Sequence, residues 1–469
     1  MQTTNFERLR YLPIPIDTSF HMIVLDIIVL RRHLLLNSHE KTLASGRIGV
    51  IGLGYVGLPL ALLLVKIGFH VVGIDLDNQK ITKLVKGTSY LPDILDHEIQ
   101  AAFSTERFVA IDDYNMIRSL TTIIICVPTP LTQYRTPDLS HLQRVGKALI
   151  PRLQKGQLII LESSTYPGTT TEVLKPMLEK SGLKVGADLF LAYSPERIDP
   201  GNTSIEMVDI PKVLSGVTKK CSEKANQFYS QIFNKVVLVS SPEAAELTKL
   251  LENTHRFINI SFINELAIIC EKMNIDIWEV IDAASTKPYG FTPFYPGPGI
   301  GGHCIPVDPL YLQWKAQQYE TKSYLIEYAN KINLEMPNFI VEKLKNSLDP
   351  KVKLKDAKIL IYGVTYKRNV NDVRESSALE IIKLLEKEGV QISYHDPYVP
   401  VLKIGGQTLH HTELSNEVLQ QSHCVLLITD HSGIPIQQII DNTPLVLDTR
   451  NITRGMQGKA RIIRLGGQL

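Results

Sequence analysis

The chain has 469 residues, 44% hydrophobic and 21% charged, with a formal net charge of +2. At roughly 100–200 residues per domain this is two to four domains with sizeable cores, not a disordered chain, and the near-neutral charge gives no reason to expect nucleic acid as a partner. Its five cysteines, Cys126, Cys221, Cys270, Cys304 and Cys424, are scattered, odd in number and form no Cys-x-x-Cys, which argues against a disulfide framework or a metal centre and for a reducing cytoplasm.

Residues 1–45 form an extension of uncertain structure. Its apolar run at 19–37 is broken by Asp26, Arg31, Arg32 and His33, so it is too short to span a bilayer. The positive charges follow the apolar stretch and no small-residue cleavage site is evident, a poor fit to a signal peptide. The expectation is a peripheral helix, an unstructured leader or a true start at Met22 or later. On any of these readings the segment is dispensable for chemistry, with no stable membrane insertion.

Alternating strand and helix texture begins at Arg47. IGVIGLG is a short apolar run ending in glycines; the helix pattern LPLALLLVKIG and the strand HVVGID follow. Further buried-strand candidates stand at 121–127, 157–163, 188–194 and 235–241. Strands apolar throughout imply a parallel sheet covered on both faces, and hence a doubly wound α/β domain over 46–241. From Pro242 to about Lys272 neither Gly nor Pro interrupts a pattern that is apolar nearly all round, which predicts a long buried helix. Such a helix suits a domain joint or a homo-oligomer interface, as a dimer or higher. Helix continues to about 347, broken by a Pro/Gly-rich loop at 288–309. A second α/β block spans 348–469, with strands at AKILIYGV, QISYHD, CVLLITD and PLVLDT. The expected fold is α/β: two Rossmann-like doubly wound domains joined by a central helical domain, 242–347.

Two local motifs carry chemistry. Gly52-Leu53-Gly54-Tyr55-Val56-Gly57 is a G-x-G-x-x-G that follows a strand and opens a helix, as binding of a pyrophosphate at a helix N-terminus requires. The next strand ends at Asp75, whose carboxylate would accept from ribose hydroxyls and repel a 2′-phosphate, favouring NAD over NADP. The loop FYPGPGIGGHCIPVDP at 294–309 sets Cys304 in a glycine-dense turn. A thiol there could trap an aldehyde and leave a thioester after hydride loss. From the loop alone, that role and an inert buried thiol are equal readings. Lys249 and Asn253, four apart, share a helix face, where a snorkelling lysine and a packing asparagine are the plainer readings.

Six stretches in this order resemble the UDP-glucose/GDP-mannose dehydrogenase family: GLGYVGLPLA (52–61), ESSTYPGTT (162–170), YSPERIDPGN (193–202), ELTKLLEN (246–253), GPGIGGHCIPVDP (297–309) and YKRNVNDVRES (366–376). The resemblance implies an NAD-dependent nucleotide-sugar 6-dehydrogenase with Cys304 as nucleophile. It also implies Asp308 acting through a water, Lys249 and Asn253 donating to the developing oxyanion, Glu196 activating the hydrolytic water, and Thr165 beside them. By the same resemblance Val127, Pro128 and Thr129 lie beside the nicotinamide, and Arg374 reaches the dinucleotide. Arg197, Gly301 and Lys367 meet the nucleotide sugar, while Phe294 and Tyr295 line its pocket or simply pack the loop. His303 shapes the loop; His410 and His411 lie on the surface without a metal. The motif wording is most similar to the branch acting on UDP-N-acetylglucosamine, with UDP-N-acetylmannosamine and UDP-glucose as alternatives. A non-catalytic nucleotide-sugar sensor and a one-step hydroxyacid-type dehydrogenase are the competing classes.

Overall fold

The computed structural model describes residues 46–198 and 205–467; the expectations for residues 1–45 fall outside it. The first sheet is built from β1 (Arg47–Ile51), β2 (His70–Ile74), β3 (Phe108–Ile111), β4 (Leu120–Ile125), β5 (Leu158–Leu161), β6 (Phe190–Tyr193), β7 (Lys212–Gly216) and β8 (Val236–Leu238). Their order is β3-β2-β1-β4-β5-β6-β7-β8. The first six strands are parallel; β7 turns antiparallel to β6, and β8 follows β7 in parallel. Helices α1 (Gly57–Ile67), α2 (Asn78–Val85), α3 (Asp96–Ser104), α4 (Ser140–Leu149), α5 (Lys175–Glu179) and α6 (Lys219–Tyr229) make the connections. The central strands are apolar because layers cover both faces: the neighbours Ile123 and Ile124 on β4, and Ile159 and Ile160 on β5, are all fully buried. Strand order reverses between β1 and β4, and a doubly wound sheet opens its ligand crevice at the carboxyl ends of such a pair.

The central helices are α7 (Pro242–Lys272), α8 (Ile277–Ser285), α9 (Asp308–Gln317) and α10 (Tyr324–Ser347). Ser241 caps α7 by accepting from the Ala244 N–H at 3.2 Å, and Pro242 occupies the first turn, where its missing N–H costs nothing. The helix is not buried all round. Ala245, Leu250, Phe257 and Ala267 are fully buried, but Leu247, Leu251, Phe262 and Ile269 stand 42–63% exposed on another side.

The second sheet contains β9 (Lys358–Tyr362), β10 (Gln391–His395), β13 (Cys424–Leu427), β14 (Leu445–Asp448) and β15 (Arg461–Arg464). All its pairings are parallel, in the order β10-β9-β13-β14-β15. Between β10 and β13 a hairpin, β11 (Val401–Ile404) with β12 (Gln407–His410), stands apart. Helices α11 (Ser377–Lys387), α12 (Asn416–Gln421) and α13 (Ile436–Asn442) complete the unit. Counted within this domain, the strand order is 2-1-3-4-5, the second common doubly wound arrangement, with its switch point between β9 and β13. Among the described residues, no helix is long and apolar enough to cross a membrane.

Candidate active site

The glycines after β1 have three different reasons to be glycine. Gly52 has φ +93°, and a Cβ there would lie 2.6 Å from the Cys126 carbonyl oxygen at the end of β4. A Cβ at Gly57 would lie 1.9 Å from the Gly52 oxygen, so the start of α1 packs on the turn. A Cβ at Gly54 would meet nothing within 4 Å. The protein itself therefore has no steric need for glycine at 54, whereas a pyrophosphate approaching the backbone does. Asp75 closes this mouth: its carboxylate accepts from Leu53 N–H at 2.9 Å and Asp77 N–H at 3.0 Å, and pairs with Lys80 at 2.9 Å. This cradle fits a dinucleotide.

At the carboxyl end of β4, the turn 127–130 is tied down from two sides. Ser163 Oγ donates to the Val127 carbonyl at 2.7 Å, and Thr129 Oγ1 donates to the Ser164 carbonyl at 2.6 Å, with Pro128 between. The Tyr311 hydroxyl on α9 donates to the carbonyls of Thr129 and Pro130. Thr165 is fully buried, its hydroxyl 2.5 Å from that of Thr169.

The thiol stands at the entry to α9. Cys304 is exposed to solvent, and the carbonyl of Cys304 accepts from Val307 and Asp308 N–H. Asp308, the first residue of α9, accepts from Asn253 Nδ2 at 2.5 Å. Lys249, one turn earlier on α7, donates Nζ to the main-chain oxygen of Glu196. The structure thus brings Cys304, Asp308, Asn253 and Lys249 together. Burial pushes the Asp308 carboxyl up to about 6 against the opposing pull of Lys249 and Asn253. The cleft around Cys304 desolvates its thiol and Asp308 repels the thiolate, so the thiol is pushed up to about 11 although Lys249, Arg374 and Arg256 oppose this. At neutral pH the thiol is protonated.

Glu196 belongs to this neighbourhood through its backbone; its carboxylate turns inward, accepting from Ile198 N–H at 2.8 Å and pairing with Lys212 at 2.7 Å. Arg197 pairs with Glu252 on α7 at 2.9 Å. Phe294 and Tyr295, in the loop between α8 and α9, pack against the central helices. The Phe294 ring meets the His255 ring edge-on, and Tyr295 stacks on Trp278 at 5.9 Å.

The C-terminal domain closes the other wall. The Arg374 side chain is held by Asp372 at 2.6 Å and lies 5.4 Å from the centre of the Tyr55 ring, so it reaches the dinucleotide loop. The turn after β9 carries Lys367, half-buried, and Gly302 N–H donates to the Arg374 carbonyl at 3.0 Å. A Cβ at Gly301 would sit 2.6 Å from the Glu375 carbonyl oxygen. Burial, then Arg374, hold His303 below the ordinary histidine range, so it is neutral at pH 7. His410 is exposed and His411 pairs with Glu413 at 3.0 Å. Among the described residues no group of three His, Cys, Asp or Glu could hold a metal ion.

Two arginines were not legible beforehand. Arg450, after β14, donates Nε to the Ile428 carbonyl at 3.0 Å, and its guanidinium fills the space a Cβ at Gly297 would need. It joins the cysteine loop to the second switch point. Arg256, on α7 three residues past Asn253, is near enough to favour the Cys304 thiolate. Neither lies in a local motif; only the folded chain puts them there.

A dinucleotide cradle, with an accessible thiol, a carboxyl, an amine and an amide gathered where the central helices meet the first domain, is the arrangement of a dinucleotide-dependent oxidoreductase. The chain matches, in order, the NAD binding domain (46–233), the central domain (243–335) and the UDP binding domain (360–455) of the UDP-glucose/GDP-mannose dehydrogenase family. It is 37% identical over 358 residues to a UDP-N-acetyl-D-glucosamine 6-dehydrogenase of Pseudomonas aeruginosa, covering 75% of this chain and 83% of that one. It is 33% identical over 429 residues to a UDP-N-acetyl-D-mannosamine dehydrogenase of Methanocaldococcus jannaschii (strain ATCC 43067 / DSM 2661 / JAL-1 / JCM 10045 / NBRC 100440), covering 88% and 94%. The solved structure of a UDP-D-ManNAc dehydrogenase from Pyrococcus horikoshii superposes with a TM-score of 0.82 at 30% identity, covering 90% of this chain and all of that one. The chain belongs to the UDP-glucose/GDP-mannose dehydrogenase family and is an NAD-dependent nucleotide-sugar 6-dehydrogenase.

Proposed function

We propose that this enzyme oxidises the C6 hydroxyl of a UDP-N-acetylhexosamine, UDP-N-acetylglucosamine before the others, to the uronic acid used in surface polysaccharides. The wording of the loops and the P. aeruginosa relative support the glucosamine substrate; relatives named for the mannosamine substrate keep that as the alternative. The observation that carries the mechanism is the exposed thiol of Cys304 beside Asp308, Asn253 and Lys249.

NAD, when bound, accepts a hydride in each oxidation. Lys249, with Asp308 through a water, draws the proton from the 6-hydroxyl, and Asn253 and Lys249 donate to the oxygen that gains charge. The Cys304 sulfur adds to the aldehyde carbon and its proton leaves, giving a thiohemiacetal; loss of the second hydride leaves a thioester. Glu196 takes a proton from the water that cleaves the thioester. Overall the alcohol, two NAD and one water give the carboxylate, two NADH and three protons. The thiohemiacetal keeps the sugar in place between the two oxidations. Arg374, Lys367 and Arg450 supply cations for the dinucleotide and the UDP diphosphate. A second copy covers the apolar side of α7 in a homo-oligomer, and a free catalytic thiol suits the cytoplasm.

A panel of UDP- and GDP-sugars with NAD, read by NADH yield and product mass, tests this. Two NADH per sugar and an acid from UDP-N-acetylglucosamine are expected. Turnover of only the mannosamine or glucose nucleotide would overturn the choice of sugar. Binding without any NADH would overturn the reaction. Cys304→Ser is expected to fold and to lose acid formation; full acid production by it would remove the covalent route.

A further inference from the structure

Behind Glu196 lies a buried charge cluster that the mechanism above does not use. Lys212 opens β7, is 4% exposed, and sets its Nζ 2.7 Å from Glu196 Oε2 and 3.0 Å from Glu162 Oε1. Glu162 follows β5 directly and is buried as deeply. The Tyr229 hydroxyl donates to its Oε1, while Oε2 has no hydrogen-bond partner among the described residues. The rings of Tyr229 and Phe233 flank the ammonium at 5.3 and 5.1 Å. Glu196 is therefore gripped twice: Lys249 holds its main-chain oxygen and Lys212 its carboxylate. Two carboxylates share one ammonium in a place where no unpaired charge is tolerated cheaply.

We propose that Lys212 is a positioning residue for thioester hydrolysis, holding the Glu196 carboxylate in place and transferring its pairing to Glu162 when Glu196 takes the proton of the attacking water. The inference rests on the assignment of Glu196 as that base. The water oxygen bonds to the thioester carbon and one water proton moves to a free lone pair of the Glu196 carboxylate. The carbon–sulfur bond then breaks, with its electron pair leaving on Cys304 Sγ. Glu196 is then neutral, and Lys212 keeps a full counter-charge only if Glu162 is ionised. The thiolate and solvent take the proton back, and Lys212 returns to Glu196.

The electrostatics agree with a pair that changes partner near neutrality. Burial pushes Glu162 up to about 7; Lys212 pulls it down, Glu196 raises it, and the Tyr229 hydroxyl lowers it. Burial works against charge on Lys212, but Glu162 and Glu196 outweigh burial and keep the ammonium charged. The other titratable groups facing the cluster, Cys126, Tyr193 and Tyr229, are all pushed up by burial and stay neutral. Below pH 7 Glu162 holds its proton and cannot receive Lys212. Above it, ionised Glu162 can, so hydrolysis should rise with pH through about 7.

Single turnovers with NAD and UDP-N-acetylglucosamine, or whichever sugar nucleotide the panel shows to be oxidised, are quenched and read for first NADH, for the Cys304 adduct by intact mass, and for acid. Lys212→Met is expected to form the first NADH, accumulate thioester and make acid on the order of 100-fold more slowly. Lys212→Arg should recover most of that loss. Glu162→Gln, close in shape, should flatten the rise of hydrolysis through pH 7, and it carries the test if Lys212→Met does not fold. Wild-type acid formation by a folded Lys212→Met, or an unchanged pH profile in Glu162→Gln, overturns the inference. Glu196→Gln separates the two levels. If it hydrolyses the thioester at the wild-type rate, the base assignment falls and this inference with it. If it blocks hydrolysis while Lys212→Met and Glu162→Gln do not alter it, the inference alone falls.

Discussion

Gly54 separates what the fold needs from what the ligand needs. Gly52 and Gly57 are fixed by the protein's own backbone, so Gly52→Ala or Gly57→Ala should destabilise the domain. Gly54→Ala has open space on the protein side and should melt like the wild type, yet raise KM for NAD at least tenfold. Unchanged KM would mean that the backbone at 54 does not approach the dinucleotide. The second residue-scale argument concerns Asp308, which is ionised at pH 8 because its carboxyl titrates at about 6. Its charge helps hold the Cys304 thiol near 11, and a one-unit fall in a thiol's pKa gives about tenfold more thiolate well below it. Asp308→Asn should therefore speed iodoacetamide labelling of Cys304 at pH 8 by about 3–10-fold while oxidation falls. Slower labelling would contradict the repulsion. The motifs made Cys304, Asp308, Lys249 and Asn253 legible. Lys212, Glu162, Arg256 and Arg450 were not, because each finds its partner far along the chain. The inward turn of the Glu196 carboxylate was equally hidden, since it depends on a lysine 16 residues away.

At the scale of elements, α7 works as a rod that carries its polar residues on one face. Glu246, Lys249 and Asn253 recur at helical spacing, and all three are buried. Glu246 ties the rod to the turn before α5: its carboxylate accepts from Gly168 N–H at 2.6 Å, Thr170 N–H at 2.9 Å and Thr170 Oγ1 at 2.7 Å. Glu246→Gln would set an amide donor against the Gly168 N–H and should cost about 1–3 kcal/mol in denaturant unfolding. It should lower kcat more than it raises KM for NAD, because the turn that bears Thr165 would shift. Wild-type stability would show that something else holds the turn. Burial pushes Glu246 up to about 7 from 4.5, against these donors. The folded state thus binds this proton more tightly than the unfolded chain, so the group's contribution is fully present below pH 4.5 and lost as pH rises through 7. The substitution should reduce that slope and leave the share owed to Glu162. The length of α7 was legible because neither Gly nor Pro interrupts it. Its uncovered side was not, because apolar periodicity does not say what covers each face. Strand β7 was hidden for a related reason: Lys212 places a charge in a fully buried strand, which disguises the apolar run.

At the scale of the whole molecule, the glycines of the cysteine loop turn out to be contact points between parts of the chain. Gly297 makes room for Arg450, Gly299 faces Ser377 and Asn333, Gly301 faces the Glu375 carbonyl, and Gly302, at φ +88°, lies under the Tyr366 ring. The glycine density of this loop lets the C-terminal domain seat directly on it. The doubly wound character of both sheets was legible in their apolar strands. The different strand orders were not, because order depends on which face each connection crosses. The first sheet supplies the dinucleotide cradle, α7 and α9 carry Lys249, Asn253 and Asp308, and the turn after β9 carries Lys367 and Arg374. A methyl group at 301 would press on main-chain atoms that no side-chain rotation can move away. Gly301→Ala should therefore push the cysteine loop off the C-terminal domain, and a displacement near 1 Å can cost about 100-fold. The expected result is a fall of that order in kcat/KM for the nucleotide sugar, while NAD binding to the cradle after β1 is retained. If kcat/KM stays at the wild-type value, the loop does not depend on this close seat, and the three parts of the chain need not meet in one fixed arrangement for the sulfur to react.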